Sequence, residues 1–425
     1  MHLIERLRLM MIGLIAVSVS LPMAWVSLGK LLLFVSCLLV LGAGLRHKEG
    51  DRALAGLWSV RVILGIVAAF ALSLTWSQAP LDLALQAFGK HSKLLEIAML
   101  IGLIRRERDA RLAVASFLLG QTLFILSSWT MAAGVVVPWA TSEWATIPQF
   151  RTVVYSTYLD QSLIFSASAA VFWHLRSYWP AWRWATALMA AAALINTLFL
   201  QEGRTGYVAA LAVLTLAIMW ELPKKLRLLA LVVIPMLLLA GLYAGSAQVK
   251  ARLTQAFSES QSYGAQGASA SSSGFRLHAW RRSLQAMQES PLSGHGVGSW
   301  TSTVKRIQGA DADKVFGNNP ASNPHQEYLL WGVELGLGGS LLLLLLILVL
   351  LRDASGFADP VKRATGSVIA VMALACLFNS SLYDALIGDF FCISLGLLLA
   401  LGVRQHGAHH PSTAATAYPN TGAMA

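Results

Sequence analysis

Charged residues and cysteines are scarce in this 425-residue chain. Asp, Glu, Lys and Arg make up 12% of the residues, whereas hydrophobic residues make up 56%. Soluble domains carry about twice that share of charge, so the composition excludes an ordinary soluble protein. Cys37, Cys376 and Cys392 form no CxxC pair and have no histidines at metal-ligand spacing. A disulfide framework and a zinc site are therefore not expected.

Motifs for nucleotide and hydrolase chemistry are missing as well. The chain has no HExxH, no GK[ST] phosphate loop and no serine nucleophile motif. The stretch GHGVGSW at 294–300 is interpreted as a tight turn. The D-x-D pattern at 311–313 falls in a predicted outward loop, whereas nucleotide sugars are cytoplasmic. We expect no metal, no cofactor and no nucleic-acid partner.

Long apolar runs are plentiful, and they predict an all-α, polytopic integral membrane protein with about 12 transmembrane helices surrounded by membrane lipids. The weakest run is the fourth, which Lys90, His91 and Lys93 interrupt. The first run is interpreted as a retained helix and not a signal peptide, since a second run follows at once. The predicted spans are 9–28, 30–45, 57–76, 83–104, 112–137, 159–175, 184–201, 205–221, 227–244, 326–351, 364–380 and 386–403.

Basic residues in the short loops set the orientation. They are concentrated in alternate connections, so both termini are predicted to be cytoplasmic. Residues 1–244 then carry helices 1–9, residues 245–325 form one long outward loop containing short helices, and residues 326–403 carry helices 10–12. Residues 404–425 are predicted to be a disordered cytoplasmic tail. Within the loop, Val249, Leu253, Ala256 and Phe257 share one face, which fits either a helix on the membrane surface or a plain connector.

Two arginines on the outward side are candidates for a binding site. Arg204 lies in a short connection between two apolar runs, where it either reaches to water or serves a site. Arg276 shares a predicted helix face with Trp280, Leu284 and Met287, whereas Arg282 points away from that face. A charge on an apolar face requires an anionic or hydrogen-bonding partner, which is either a structural ion pair or a ligand.

His325 is the candidate general base. In NPHQ, Asn323 is suited to the N-cap, Pro324 to the first helical position and Gln326 to completing a capping box. His325 would then occupy the second helical position, where the helix dipole favours the neutral ring. A surface histidine that caps a helix is the alternative. Two arginines and a neutral histidine on one side of a membrane suggest a diphosphate clamp beside a base.

Three acids are weaker candidates. Glu334 lies nine residues beyond His325, on the opposite side of a continuous helix, so we expect it to pair inside the bundle. Asp384 and Asp389 fall in the last outward connection. Either one could orient His325 or hold a sugar hydroxyl.

The layout of the whole chain resembles the O-antigen ligase family. The resemblance rests on twelve spans with one long outward loop before the tenth, and on motifs confined to about 200–215, 273–300 and 323–339: RTGYVAAL, SGFRLHAW, GHGVG and HQEYLLWGVELGLGG. Each motif alone is loose, but their order and topology together are fairly specific.

The resemblance implies a reaction on the periplasmic face of the bacterial inner membrane. Family members transfer a polysaccharide from undecaprenyl diphosphate, and the ligases proper use lipid A–core as acceptor, without nucleotide or metal. Carried over by motif, Arg204 and Arg276 would bind the diphosphate and His325 would deprotonate the acceptor hydroxyl. The expected outcome is inversion at the anomeric carbon.

Three other functions fit the same layout. O-antigen polymerases join repeat units to one another, and the motifs decide little between them and ligases. Protein O-oligosaccharyltransferases are generally longer, with an added outward C-terminal portion, so the short cytoplasmic tail slightly favours a ligase over them. A lipid-linked glycan transporter without catalysis is the alternative from another class. Transporters usually show internal repeats and charges near the bilayer midplane, whereas the unusual charges here lie at the outer boundary.

Overall fold

The computed structural model describes residues 2–42, 54–245, 247, 249–251, 254–255, 258, 272–311, 316 and 323–409. The regular elements in these ranges are α-helices and short 3-10 helices, which confirms the all-α class. The predicted helix with Val249 on its buried face falls largely outside the described residues.

Sixteen α-helices lie in the described ranges. The first eight are α1 His2–Ser18, α2 Met23–Gly42, α3 Trp58–Ser73, α4 Leu81–Ser92, α5 Leu95–Leu103, α6 Glu107–Ala132, α7 Tyr158–His174 and α8 Arg183–Phe199. The next eight are α9 Arg204–Glu221, α10 Arg227–Gly245, α11 Ser272–Glu289, α12 Trp300–Gln308, α13 Glu327–Leu335, α14 Leu337–Ser355, α15 Asp359–Phe378 and α16 Ala385–His409.

Seven segments of the described residues are long and apolar enough to cross a membrane, so the chain is a multi-pass membrane protein. They are Met23–Val40, Trp58–Trp76, Glu107–Ala132, Lys224–Gly245, Leu337–Ser355, Asp359–Phe378 and Ala385–Gln405. The predicted total of 12 and the outward position of the long loop stay predictions.

The structure moves one predicted helix boundary and adds another. The first break lies at Pro22, which cannot donate a helical hydrogen bond, and not near Gly29. Gly29 is inside α2, where a Cβ atom would meet the Ser18 side chain of α1. The predicted span 83–104 is divided between α4 and α5 at Lys93 and Leu94.

The predicted tenth span is also divided, at Gly336. This residue has φ +69°, and a Cβ atom there would lie 2.5 Å from the carbonyl oxygen of Pro291. Only glycine adopts this conformation at low cost in so close a contact. The chain therefore forms a short helix, α13, before the membrane-crossing α14.

The GHGVG turn fastens the end of α13 to the long loop. Backbone N–H groups of His295 and Gly296 donate to the carbonyl oxygens of Val333 and Glu334, at 2.8 and 2.9 Å. The N–H of Gly298 donates to the Glu334 carboxylate at 2.8 Å. The turn predicted from the glycines thus fixes α13 relative to the segment that carries α11 and α12.

Helix α16 lies at the centre of the bundle and α10 at its edge. In the apolar stretch of α16, 94% is buried inside the bundle, whereas only 6% of the apolar stretch of α10 is buried. Helix α16 packs against α5, α6 and α15, while α7 packs against α8, α9 and α15. The exposed leucines of α10 are suited to contact lipid.

The end of α16 differs from the predicted disordered tail. The helix continues to His409, and Arg404 donates to the carbonyl oxygens of Ile101 and Ile104 at 3.1 and 3.0 Å. These contacts join the C-terminal part of α16 to the end of α5. Residues 410–425 lie outside the described part of the chain.

Candidate active site

His325 lies just before a helix and not in its second position, which corrects the prediction from the capping pattern. Helix α13 begins at Glu327, and its N-cap is Gln326, whose side chain accepts from the backbone N–H of Leu329. His325 has φ +51°, a left-handed conformation that is uncommon for a residue with a side chain. The Asn323 side chain stabilises it by accepting from the His325 N–H at 2.9 Å.

Helix α11 covers one side of the His325 segment. The Phe275 ring meets the His325 ring edge-to-face at 6.0 Å between centroids, and Trp280 Nε1 donates to the Pro324 carbonyl oxygen at 3.0 Å. Burial lowers the pKa of His325, and the positive charge of Arg276 lowers it further, against a hydrogen bond with Asn379 that raises it. The ring is therefore neutral at neutral pH, for a reason other than the helix dipole.

Half-buried Arg276 lies on the packed side of α11, which is rotated from the face that the sequence predicted. Ala279, Ser283 and Ala286 are fully buried on it, whereas Leu284 is 51% exposed. Arg282 points away from the site and donates to Gln308 at 2.8 Å. The guanidinium of Arg276 is close enough to His325 to interact with it electrostatically.

Arg204 is the first residue of α9 and contacts the same end of α11. Its Nη1 donates to Oγ of Ser273 at 3.1 Å. Ser273 lies three residues before Arg276, which places the two on neighbouring positions of one helix face. The structure therefore brings Arg204, Arg276 and His325 to the N-terminal half of α11.

A polar network beneath Arg204 holds the connection that precedes it. Gln201 Nε2 donates to Asn196 Oδ1 at 2.9 Å and to Thr152 Oγ1 at 3.1 Å. The Tyr207 hydroxyl donates to the carbonyl oxygen of Gln201 at 2.8 Å. Because these polar groups are buried and hydrogen-bonded, they hold the connection that leads into Arg204 in one position.

Asp384 is the predicted acid that reaches the histidine, and it does so through two asparagines. Asn379 Nδ2 donates to Asp384 Oδ2 at 2.9 Å, and Asn379 Oδ1 lies 2.9 Å from Nδ1 of His325. Asn323 Nδ2 points to Asp384 Oδ1 at a longer 3.5 Å. Burial raises the pKa of Asp384, while the nearby charges of Lys93 and Lys90 oppose that rise.

The other predicted acids lie away from His325. Glu334 is fully buried, and its Oε2 is 2.8 Å from Nε2 of His91, in a pair inside the bundle of the kind that the sequence predicted. Asp389 is fully buried between Lys30, at 2.9 Å, and Lys93, at 3.6 Å. Both carboxylates are thus paired with groups other than the His325 ring.

Asn379 and Glu327 were missed in the sequence. Buried Glu327 accepts from the backbone N–H groups of Leu382 and Tyr383, at 2.9 and 3.2 Å, and so ties the Asp384 loop to α13. The only local signal is a carboxylate and an amide at the ends of apolar runs, in HQEYLL and LFNSS. Their relation to His325 depends on the packing of α13 against α15.

The site contains cations, an imidazole and hydrogen-bonding amides, and the described residues hold no group of three or more His, Cys, Asp or Glu side chains able to bind a metal ion. Arginine pairs suit phosphate oxygens, and a neutral imidazole suits proton removal. The fold is that of a multi-pass helical membrane protein, and its described residues bring two arginines, a histidine and hydrogen-bonding amides together near the start of α11.

The comparison with protein families agrees with the sequence motifs. Residues 189–344 match the family model described as O-Antigen ligase, which supports the resemblance drawn from those motifs. The matched segment includes Arg204, Arg276 and His325, but not Asn379 or Asp384. Curated proteins gave no match to the chain.

Proposed function

We propose that the protein is an inverting, metal-independent glycosyltransferase that moves O-antigen polysaccharide from undecaprenyl diphosphate to lipid A–core oligosaccharide. It would act from the bacterial inner membrane, with both termini cytoplasmic and the site on the periplasmic face. The observation that carries the proposal is the convergence of Arg204, Arg276 and His325 on one half of α11. The family match at 189–344 supports the donor class.

The two arginines take the leaving group. As the bond between the anomeric carbon and the phosphate oxygen breaks, negative charge grows on the diphosphate, and two guanidinium groups already in place stabilise it. Arg204 and Arg276 come from different helices, so they can contact the diphosphate from two directions. Undecaprenyl diphosphate is then released with the bond electrons.

His325 takes the proton. Its neutral ring accepts the proton of the acceptor hydroxyl, whose oxygen attacks the anomeric carbon from the side opposite the diphosphate. One glycosidic bond forms, one glycosyl phosphate bond breaks, and the configuration at the anomeric carbon inverts. Burial and Arg276 both keep the ring neutral before the reaction.

The test compares the wild type with His325→Ala in a purified system containing undecaprenyl diphosphate-linked glycan and lipid A–core. General-base catalysis contributes roughly 10²- to 10⁴-fold, so we expect product from the wild type and a loss of that size in the variant. His278→Ala is the matched control, since His278 lies on the same helix as Arg276 and its ring bonds to Gln308.

Each other outcome has a distinct meaning. Equal product from wild type and His325→Ala would remove the base role. No product from the wild type with lipid A–core, but product when repeat units or a protein replace the acceptor, would identify a polymerase or a protein O-oligosaccharyltransferase. Movement of the lipid-linked glycan across vesicles without any transfer would identify a transporter.

A further inference from the structure

The hydrogen bonds behind His325 determine which of its two ring nitrogens carries the proton. In a neutral imidazole one nitrogen donates and the other accepts, and the partner of one nitrogen decides the role of the other. Nδ1 of His325 faces the side chain of Asn379. The orientation of that amide is therefore the decisive feature.

The Asn379 amide has only one orientation that satisfies its neighbours. An ionised carboxylate only accepts hydrogen bonds, so the NH₂ group of Asn379 faces Asp384 Oδ2, at 2.9 Å. The amide oxygen then faces Nδ1 of His325, also at 2.9 Å. An oxygen at that position requires a proton on Nδ1, and the free lone pair of the ring is on Nε2.

Asn323 also links His325 to Asp384, but through the backbone of the histidine and not through its ring. Its oxygen accepts from the His325 N–H at 2.9 Å, which turns its NH₂ group toward Asp384 Oδ1 at 3.5 Å. Both asparagines are more than nine-tenths buried, so competition from water is limited. The two amides and the carboxylate form a closed path from His325 to Asp384 and back.

Resting on the proposed function, we propose that Asn379 is a positioning residue: oriented by Asp384, it holds His325 as the Nδ1–H tautomer and leaves Nε2 as the basic nitrogen that receives the acceptor proton. Asn379 and Asp384 both lie outside the segment that matches the family model. The charged groups around this path are Arg276 on α11 and, near Asp384, the cations Lys90 and Lys93 and the acids Glu327 and Asp160.

Two variants of Asn379 separate tautomer control from simple packing. Asn379→Leu keeps the shape of the side chain but removes the acceptor, so the Nδ1–H tautomer loses its support. We expect the pH-independent maximum of kcat to fall roughly 10- to 100-fold, as for other residues that orient a functional histidine, with little change in KM. Asn379→Asp restores an acceptor, so its maximum should exceed that of Asn379→Leu, while the acidic limb of its pH profile moves to higher pH.

Ser381→Ala is the matched control. Ser381 lies in the same loop and is fully buried, and its hydroxyl has no hydrogen-bond partner among the residues that the structure describes. Its removal should leave kcat and the pH profile as in the wild type.

A second measurement does not depend on transfer. Diethyl pyrocarbonate carbethoxylates neutral histidine, and mass spectrometry of the His325 peptide against pH gives the pKa of the ring. In Asn379→Asp this pKa should rise above that of the wild type, because a carboxylate stabilises the imidazolium. In Asn379→Leu it should fall, because the hydrogen bond that raises it is gone.

The outcomes are distinguishable. An unchanged kcat maximum in folded Asn379→Leu would overturn the proposal, and if that variant does not fold, an unchanged His325 pKa in Asn379→Asp would overturn it. If the wild type transfers nothing but the two Asn379 variants still change the His325 pKa as expected, the proposed function and the catalytic use of Nε2 would be refuted. The contact between Asn379 and His325 would still be supported.

Discussion

Arg204 and Ser273 join two parts of the chain that are 69 residues apart, through a hydrogen bond of 3.1 Å between Nη1 and Oγ. The contact brings the start of α9 against the start of α11, one helical turn from Arg276. Neither arginine alone differs from a charge that reaches to water at the membrane boundary. Their meeting on α11 is the basis of the proposed diphosphate site.

Substitutions of the arginines should lower the rate of transfer. Loss of one preorganised contact to a developing anion costs roughly 10²- to 10³-fold, so we expect Arg204→Ala and Arg276→Ala each to reduce kcat by that order. Lysine at either position should retain more activity than alanine, because it keeps the charge but not the paired hydrogen bonds. Arg282→Ala is the control from the same helix, and a loss equal to that of Arg276→Ala would count against a specific clamp.

Activity should fall on the acid side of neutrality. The base must be neutral, and the pKa of His325 is lowered below its usual 6.5, so activity stays high at neutral pH and is lost as pH falls through the lowered value. Asp384 must be ionised to orient Asn379, and its pKa is raised above 3.8, so its protonation acts in the same direction. Initial rates between pH 4 and 8 in the wild type and Asp384→Asn check this. A wild-type profile that is flat down to pH 4 would contradict both assignments.

Transfer should proceed in EDTA and without ATP. The diphosphate is already the leaving group, and two arginines supply the positive charge that a metal ion provides in other glycosyl transfers. Product formation by purified protein in EDTA should match that in added magnesium. Abolition by EDTA with recovery on magnesium addition would show that the arginines are not sufficient.

Glu334 should matter more for stability than a surface acid does. Its carboxylate is fully buried and contacts both His91 and the N–H of Gly298. Removing one partner of a buried pair costs about 3–5 kcal/mol, so Glu334→Ala should lower the thermal midpoint clearly in detergent. Glu289→Ala is the control, because Glu289 pairs with Arg306 at the surface, where such pairs contribute about 0–1 kcal/mol. Equal midpoints for the two variants would refute this role.

The helical class and most helix positions could be read from the sequence alone. Runs of about 20 apolar residues have few alternatives in a membrane, and the predicted spans 57–76, 205–221 and 227–244 agree closely with α3, α9 and α10. The helix breaks at Pro22 and Gly336 were not predicted from the sequence. A glycine inside an apolar run marks either a close contact, as at Gly29, or a turn, as at Gly336.

For the site, the sequence determined which residue types are available near the ends of the apolar runs: two arginines, a histidine and several acids. Residue type fixes the functional group itself, whereas the protonation of that group depends on its surroundings. Only the tertiary structure decided which of them act together. Asp384 reaches His325 through Asn379, whereas Asp389 pairs with lysines and Glu334 with His91. A hydrogen bond between residues 54 positions apart depends on how α13 and α15 pack, and no local pattern encodes that distance.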